Sequence, residues 1–376
     1  LLALIQMCES SKVQFKVRVN NANSIGAEMV AFSNTKGGMI IVGIDDKTGD
    51  INGLSFEELQ ATNELLANAA SNNVKAPIYI YTETIKIEEQ NVIVAHISEG
   101  TSKPHMDNNG IIWVKNGSDK RKVVAKEEIA RLLQSSGNLF ADETIVNGTT
   151  VNDIDKELFA DFIQKKYEKS IEDFNLSLPE LLLNMGMLKD GKLTLGGLLL
   201  FGKNPQRSKP TFTVHCIAIK GNDISTNSYR NEKEPFQGHL FEVYEKTISF
   251  IFQNLKEVQV EKGFNTKGKL EIPIESISEL LVNALVHRDY FINSSIKVFV
   301  FDNRIEIISP GKLPNTLTVE NIKTGISIIR NPILYSNALY MLPFKGVGSG
   351  IRRAYNNYPN IELINDTDRE LFISLI

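Results

Sequence analysis

The chain has 376 residues, enough for two or three domains, and its 42% apolar and 23% charged residues are ordinary globular values. The net charge of −4 excludes an overall basic signature, so any nucleic-acid site has to be a local patch. Cys8 and Cys216 make no disulfide framework, no apolar run approaches the ~18 residues of a membrane span, and residues 1–5 lack the basic start of a cleavable signal, so a cytoplasmic protein with no membrane partner is expected.

In chain order, residues 25–33 suit a helix, Gly37-Gly38 a tight turn, and the apolar run 39–44 a buried strand. A second helix is expected over 56–70, and a hairpin of 78–87 with 92–97 around residues 88–91. A strand at 110–115 and a closing helix at 126–134 complete an α/β unit spanning 1–137. Residues 135–152 are rich in Ser, Gly, Asn and Thr and read as a linker, so a linker and helical connector is expected over 138–205. Within it, residues 178–195 form a helix and β-turn that read either as a small wing or as a packing brace between domains. From 206 to 376 the pattern is a strand at 211–220, a long helix at 236–255, a further helix ending near 287, and a hairpin about Asp302-Asn303. Helices on a mixed sheet make this an α/β (α+β) sandwich, so the whole chain is expected to be α/β.

The helix before residue 287 carries the densest chemistry. Glu279, Asn283 and His287 recur at i, i+4 and i+8 and share one face, while Leu280, Leu281, Ala284 and Leu285 pack inward. An Asn oxygen is a Mg²⁺ ligand and a Glu one turn earlier can polarise a water, although a polar face on an amphipathic helix gives the same pattern. Downstream lie Ser309-Pro310-Gly311, Arg330-Asn331-Pro332 and Gly346-Val347-Gly348-Ser349-Gly350. With His287-Arg288-Asp289-Tyr290, this ordered set resembles the divergent GHKL-like C-terminal domain of a large prokaryotic family related to RecG-type helicases and described as transcriptional regulators.

That resemblance implies ATP and Mg²⁺ as cofactors, with Glu279 as general base and Asn283 as the metal ligand. His287, Ser309, Gly311, Arg330, Gly346, Gly348 and Gly350 would then line the nucleotide site. Ser309 stands where the family has an Asp that hydrogen-bonds adenine, which implies a weakened or altered base preference. No Gly-x-x-x-x-Gly-Lys-Ser/Thr loop is present, so helicase motor activity is not expected. Members often carry a winged-helix module after this domain, and the sequence ends at Ile376 before one would begin.

At the other end, Glu9-Ser10, Phe15-Lys16, the stretch 28–46, Ile51-Asn52-Gly53 and Trp113-Val114-Lys115-Asn116-Gly117-Ser118 resemble the Schlafen/AlbA-like domain. This implies DNA as a partner, and a homodimer would suit paired half-sites. The basic residues Lys12, Lys16, Arg18, Lys115, Lys120, Arg121 and Lys122 are the expected phosphate contacts, with a solvated turn as the alternative reading of 120–122. Schlafen-type nucleases need a cluster of carboxylates. Here Glu9 and Asp45 or Asp46 match, but Gln14 holds the second position, and a neutral amide makes nuclease activity unexpected. The reading is thus a DNA-associated regulator, with a GHKL ATPase, a metal nuclease and an inert scaffold as the alternatives.

Overall fold

The computed structural model describes residues 1–137, 139–224, 229–255, 257–259, 268–314, 317–343 and 349–376. Two compact units divide the chain, 1–139 and 140–376. Helices and sheets are mixed in both, in keeping with the α/β reading.

The first unit is built on a four-stranded sheet. Its strands are β1 (Val13–Lys16), β2 (Gly38–Val42), β3 (Ile80–Ile87) and β4 (Gln90–Ile97), in the order β1-β2-β4-β3. β1 and β2 are parallel and the other pairs antiparallel. Between β1 and β2 runs α1 (Ala22–Asn34), started by Asn21, whose side chain accepts from the amides of Asn23 and Ser24. The turn into β2 needs its glycines. Gly37 has φ +67, and a Cβ on Gly38 would stand 2.4 Å from the Phe32 ring. The expected hairpin closes through Glu88 and Glu89, both at positive φ. α2 (Phe56–Asn72) opens with a capping box between Ser55 and Glu58. A second hairpin, β5 (Trp113–Asn116) with β6 (Asp119–Lys122), precedes α3 (Lys126–Ser135).

The second unit starts with the segment expected as linker and connector. It holds α4 (Lys156–Tyr167), α5 (Leu178–Asn184), the short hairpin β7 (Leu188–Lys189) and β8 (Lys192–Leu193), and α6 (Leu195–Phe201). Ala141, Val146, Ile154, Leu181, Leu188 and Leu193 are buried in the same core as the C-terminal sheet, so this segment braces that core. The sheet has six strands: β9 (Val214–Ile219), β10 (Tyr229–Glu232), β11 (Ile296–Val300), β12 (Ile305–Pro310), β13 (Glu362–Asp366) and β14 (Leu371–Leu375). Their order is β10-β9-β11-β12-β14-β13, and only β9 and β11 run parallel.

Two long helices contribute to this core, α7 (Leu240–Asn254) and α8 (Ile274–His287). α8 buries Ile277, Leu280, Leu281, Val282 and Leu285 almost completely. Three short helices follow, α9 (Val319–Lys323), α10 (Pro332–Ala338) and α11 (Gly350–Asn357). No helix among the described residues is long and apolar enough to cross a membrane.

Candidate functional site

In the second unit, α8, β12, β14 and the start of α11 bound a cleft that also takes residues from 311–317 and 322–330. The cleft is open to solvent and holds about 940 Å³ out to its mouth. The walls are apolar, with Leu280, Ala284, Ile307, Leu317, Ile351 and Phe372, and the polar groups are few.

Of the residues expected at a nucleotide site, Asn283, His287, Ser309, Gly311, Arg330 and Gly350 all line this cleft. Gly346 and Gly348 lie outside the described residues. Asn283 donates from Nδ2 to the Glu279 carbonyl at 2.7 Å, which leaves its Oδ1 as the acceptor end. His287 packs edge-on to Tyr335 at 5.7 Å between ring centres. Burial, reinforced by the positive Arg330, pushes its imidazole down to about 4, so it is neutral at pH 7. Ser309 donates to the Ala284 carbonyl at 3.2 Å, so its hydroxyl offers a ligand only lone pairs. Gly311 has φ +105, and a Cβ there would meet Asp289 at 2.4 Å and Arg330 at 2.7 Å. Arg330 donates to the carbonyls of Lys312 at 2.7 Å and His287 at 3.4 Å, tying the loop after β12 to the end of α8.

Glu279 does not line the cleft. Its Oε1 accepts from Arg353 Nε at 2.9 Å and from Arg353 Nη2, and its Oε2 is buried with no partner. Gly350 closes over that oxygen, where a Cβ would stand 2.5 Å away. Sequence reasoning missed Arg353. The available signal was its place three residues after Gly350 on one helix face. It also missed Asn331, which is 1% exposed and donates to the carbonyls of Val286 and Arg288 at the end of α8. Arg288 is buried between Phe212 and Tyr290 and donates to the carbonyls of Ile292 and Ser294, a packing role.

Mg²⁺ does not fit this donor set. Among the described residues no Asp or Glu lines the cleft, the carboxylate one turn from Asn283 is held by Arg353, and a single neutral amide supplies no charge.

In the first unit, Glu9 and Gln14 do come together. Glu9 Oε1 accepts from Gln14 Nε2 at 2.6 Å and from the Phe15 amide at 2.7 Å. The buried Lys115 ammonium donates to Gln14 Oε1 at 2.8 Å and to the Ser118 carbonyl, stands 3.8 Å from Glu28, and lies over the Phe32 ring. Burial holds the Lys115 pKa below the ordinary lysine value, offset in part by Glu28. Lys120 donates to the other Glu28 oxygen at 2.6 Å and lies over Trp113. Asp45 turns to its own loop, accepting from the amides of Lys47 and Thr48. Among the described residues no group of three His, Cys, Asp or Glu side chains is placed to hold a metal ion.

The expected phosphate contacts divide in two. Arg18 is paired with Glu58, Arg121 with Glu128 in a two-pronged contact, and Lys115 and Lys120 with Glu28. Lys12, Lys16 and Lys122 form no ion pair among the described residues, and Lys12 and Lys122 are exposed.

Comparison with protein-family models matches residues 9–124 to "Schlafen, AlbA_2". Residues 293–368 match "Putative ATP-dependent DNA helicase recG C-terminal", and 130–215 match a domain of unknown function. The RecG-type match takes in Ser309, Gly311, Arg330 and Gly350 and begins after α8. No curated protein matches the chain. A crystal structure of a protein from Corynebacterium diphtheriae is 21% identical, with a TM-score of 0.47, and the alignment covers 97% of this chain and 75% of that one. The solution structure of the N-terminal domain of a "Putative ATP-dependent DNA Helicase RecG-related Protein" from Nitrosomonas europaea is 20% identical. Its TM-score is 0.26, with 33% of this chain and 92% of that one covered. The chain thus joins a segment matching the Schlafen, AlbA_2 model to one matching the recG C-terminal model.

Proposed function

We propose that this is a DNA-associated regulatory protein whose C-terminal unit binds a nucleotide and whose N-terminal unit contacts nucleic acid. The observation that carries the nucleotide reading is the cleft itself. Six residues picked out by their order in the sequence line one apolar cleft beside a sheet, as a flat base would require. The neutral His287 and the lone pairs of Ser309 offer hydrogen bonds to a base edge in place of a carboxylate. DNA association is supported by the matched Schlafen, AlbA_2 and recG C-terminal models, the latter named for a DNA helicase, and by the exposed Lys12 and Lys122. Among the described residues Glu279 is held by Arg353 and Glu9 by Gln14 and the Phe15 amide, which favours sensing over turnover.

The test is calorimetric titration of ATP and ADP into wild type and Asn283→Ala. Saturable heat that weakens about tenfold or more in the variant, a loss of roughly 1.4 kcal/mol, is the expected result. No heat with wild type removes the nucleotide reading. A second reading, an interaction scaffold with inert sites, is favoured by one observation: Glu279 and Glu28 are each answered by basic side chains of the same chain. Failure of DNA to bind at low salt together with no nucleotide binding would select it.

A further inference from the structure

We infer that the N-terminal unit stacks unpaired bases on an aromatic row across its four-stranded sheet, so that its nucleic-acid ligand is single-stranded. This rests on the reading of that unit as a nucleic-acid contact and adds to it the form of the ligand and the surface that takes it.

The row follows from strand alternation. Ile78, Ile80, Ala95 and Ile97 pack into one core with residues of α1 and α2, on the helix side of the sheet. Tyr79, Tyr81 and His96 alternate with them, so they stand on the opposite face. The register sets Tyr81 against His96, His96 against Met39 and Met39 against Val13. One line of side chains therefore crosses β3, β4, β2 and β1. Phe15, Ile41 and Val94, on the next row of this face, are closed into a core with Ile5 and Ile44. The row itself opens toward β3, where Tyr81 is 58% and Tyr79 80% exposed.

Single exposed aromatics are ordinary on a protein surface, but these are grouped and held. The Tyr81 and His96 rings lie 5.8 Å apart, tilted by 33°. His96 Nε2 donates to Glu83 Oε1 at 2.8 Å, which fixes the imidazole and occupies that carboxylate. A ring already held by its neighbours loses little freedom when a base stacks on it.

Lys12 supplies the charge. Its carbonyl accepts from the Met39 amide at 2.8 Å, which sets it at the β1 end of the row. Its side chain is exposed and forms no ion pair among the described residues. Three strand spacings, about 14 Å in all, separate β1 from β3, and a short run of nucleotides bridges that distance. With one unpaired lysine beside the row, stacking has to supply most of the affinity, and the lysine adds only about −0.7 to the logarithmic salt slope. A duplex keeps its bases stacked on one another and offers a protein their edges and its phosphates. Rings on an open face select strands whose bases are free, with little regard to sequence. Single-stranded DNA and RNA share that chemistry, so both enter the test.

The full chain is titrated by fluorescence anisotropy with oligo(dT) and oligo(rU) of about fifteen nucleotides, an abasic strand of the same length and a duplex. At least one of the two base-bearing single strands is expected to bind more tightly than the abasic strand and the duplex. The double variant Tyr79→Ala, Tyr81→Ala is expected to lose about tenfold or more on that strand and nothing on the abasic one. Both side chains are exposed, so folding is not at stake, and Tyr79→Phe with Tyr81→Phe is expected to keep the affinity. Equal affinity of the alanine variant and wild type overturns the inference while leaving the nucleic-acid reading in place, as does a preference for duplex. A changed sedimentation coefficient in the alanine variant, with oligonucleotide binding intact, would give the row to a second copy of the chain and also overturns it. Absence of binding to every strand at low salt overturns the nucleic-acid reading itself, and the inference with it.

Discussion

Asp142 is buried and His287 half-buried at the cleft, and folding moves their proton affinities in opposite directions. Burial pushes the Asp142 carboxyl up to about 7, against amide bonds from Leu334 and Ile333 that favour its charged form. The folded state therefore binds a proton that the unfolded chain releases near pH 4, and this group's contribution to stability falls as pH rises from about 4 to 7. His287, lowered to about 4, does the reverse: the folded state refuses a proton that the unfolded chain accepts near 6.5, so stability is lost as pH falls from about 6.5 to 4. Over pH 4.5–6.5 the two slopes oppose, each at most about 1.4 kcal/mol per pH unit. Asp142→Asn keeps an acceptor for the Leu334 amide and removes one slope. Burial lowers His105 and His239 as well, so urea melts across this range are expected to lose stability toward acid in wild type and to lose it more steeply in the variant. Parallel curves would remove the assignment. The i, i+4, i+8 spacing was enough to place Asn283 and His287 on one surface, because helical periodicity is local. The partner of Glu279 was not legible, since Arg353 lies 74 residues on and only the packing of α11 against α8 brings it there.

At the scale of elements, helix ends account for much of the site's rigidity. The last carbonyls of α8 have no partners within the helix, and Asn331 supplies two donors to them while also standing at the start of α10. Asn331→Ala leaves the carbonyls of Val286 and Arg288 unsatisfied in a dry site. It is expected to cost about 2–4 kcal/mol, read as a lower urea midpoint at unchanged slope. Both longer hairpins were readable because alternation and turn position are local signals. The connector was harder. Residues 135–152 are polar enough to read as a linker, yet Ala141 and Val146 enter the core of the second unit, and the buried Asp142 accepts from the Leu334 amide of α10. Sparse apolar positions in a polar stretch carry no period, so composition outweighed them. Leu188 and Leu193 tie the small β7–β8 hairpin into that core, as part of the second unit.

Across the whole molecule, charge is largely settled internally in the N-terminal unit. The basic cluster at 120–122 reads in sequence as a surface for phosphates, but Lys120 and Arg121 each have a carboxylate partner far along the chain or one helix away. Sequence shows where charges lie and not whom they meet. With Lys12, Lys16 and Lys122 as the unpaired contacts, the logarithm of DNA affinity is expected to fall with the logarithm of salt at a slope of about −2.7, three phosphates' worth. A slope steeper than about −5 in filter-binding or anisotropy titrations would mean that the paired cations change partners on DNA.

The Lys115 cluster also constrains the routes by which this sequence can change. Gln14→Glu alone would set a further buried negative charge among Glu9 and Glu28, and loss of Lys115 alone would leave Glu28 half-answered, so each single step unbalances a dry site. Making both changes leaves Lys120, at Glu28, as the one cation facing three carboxylates, so a bound cation would then add to stability.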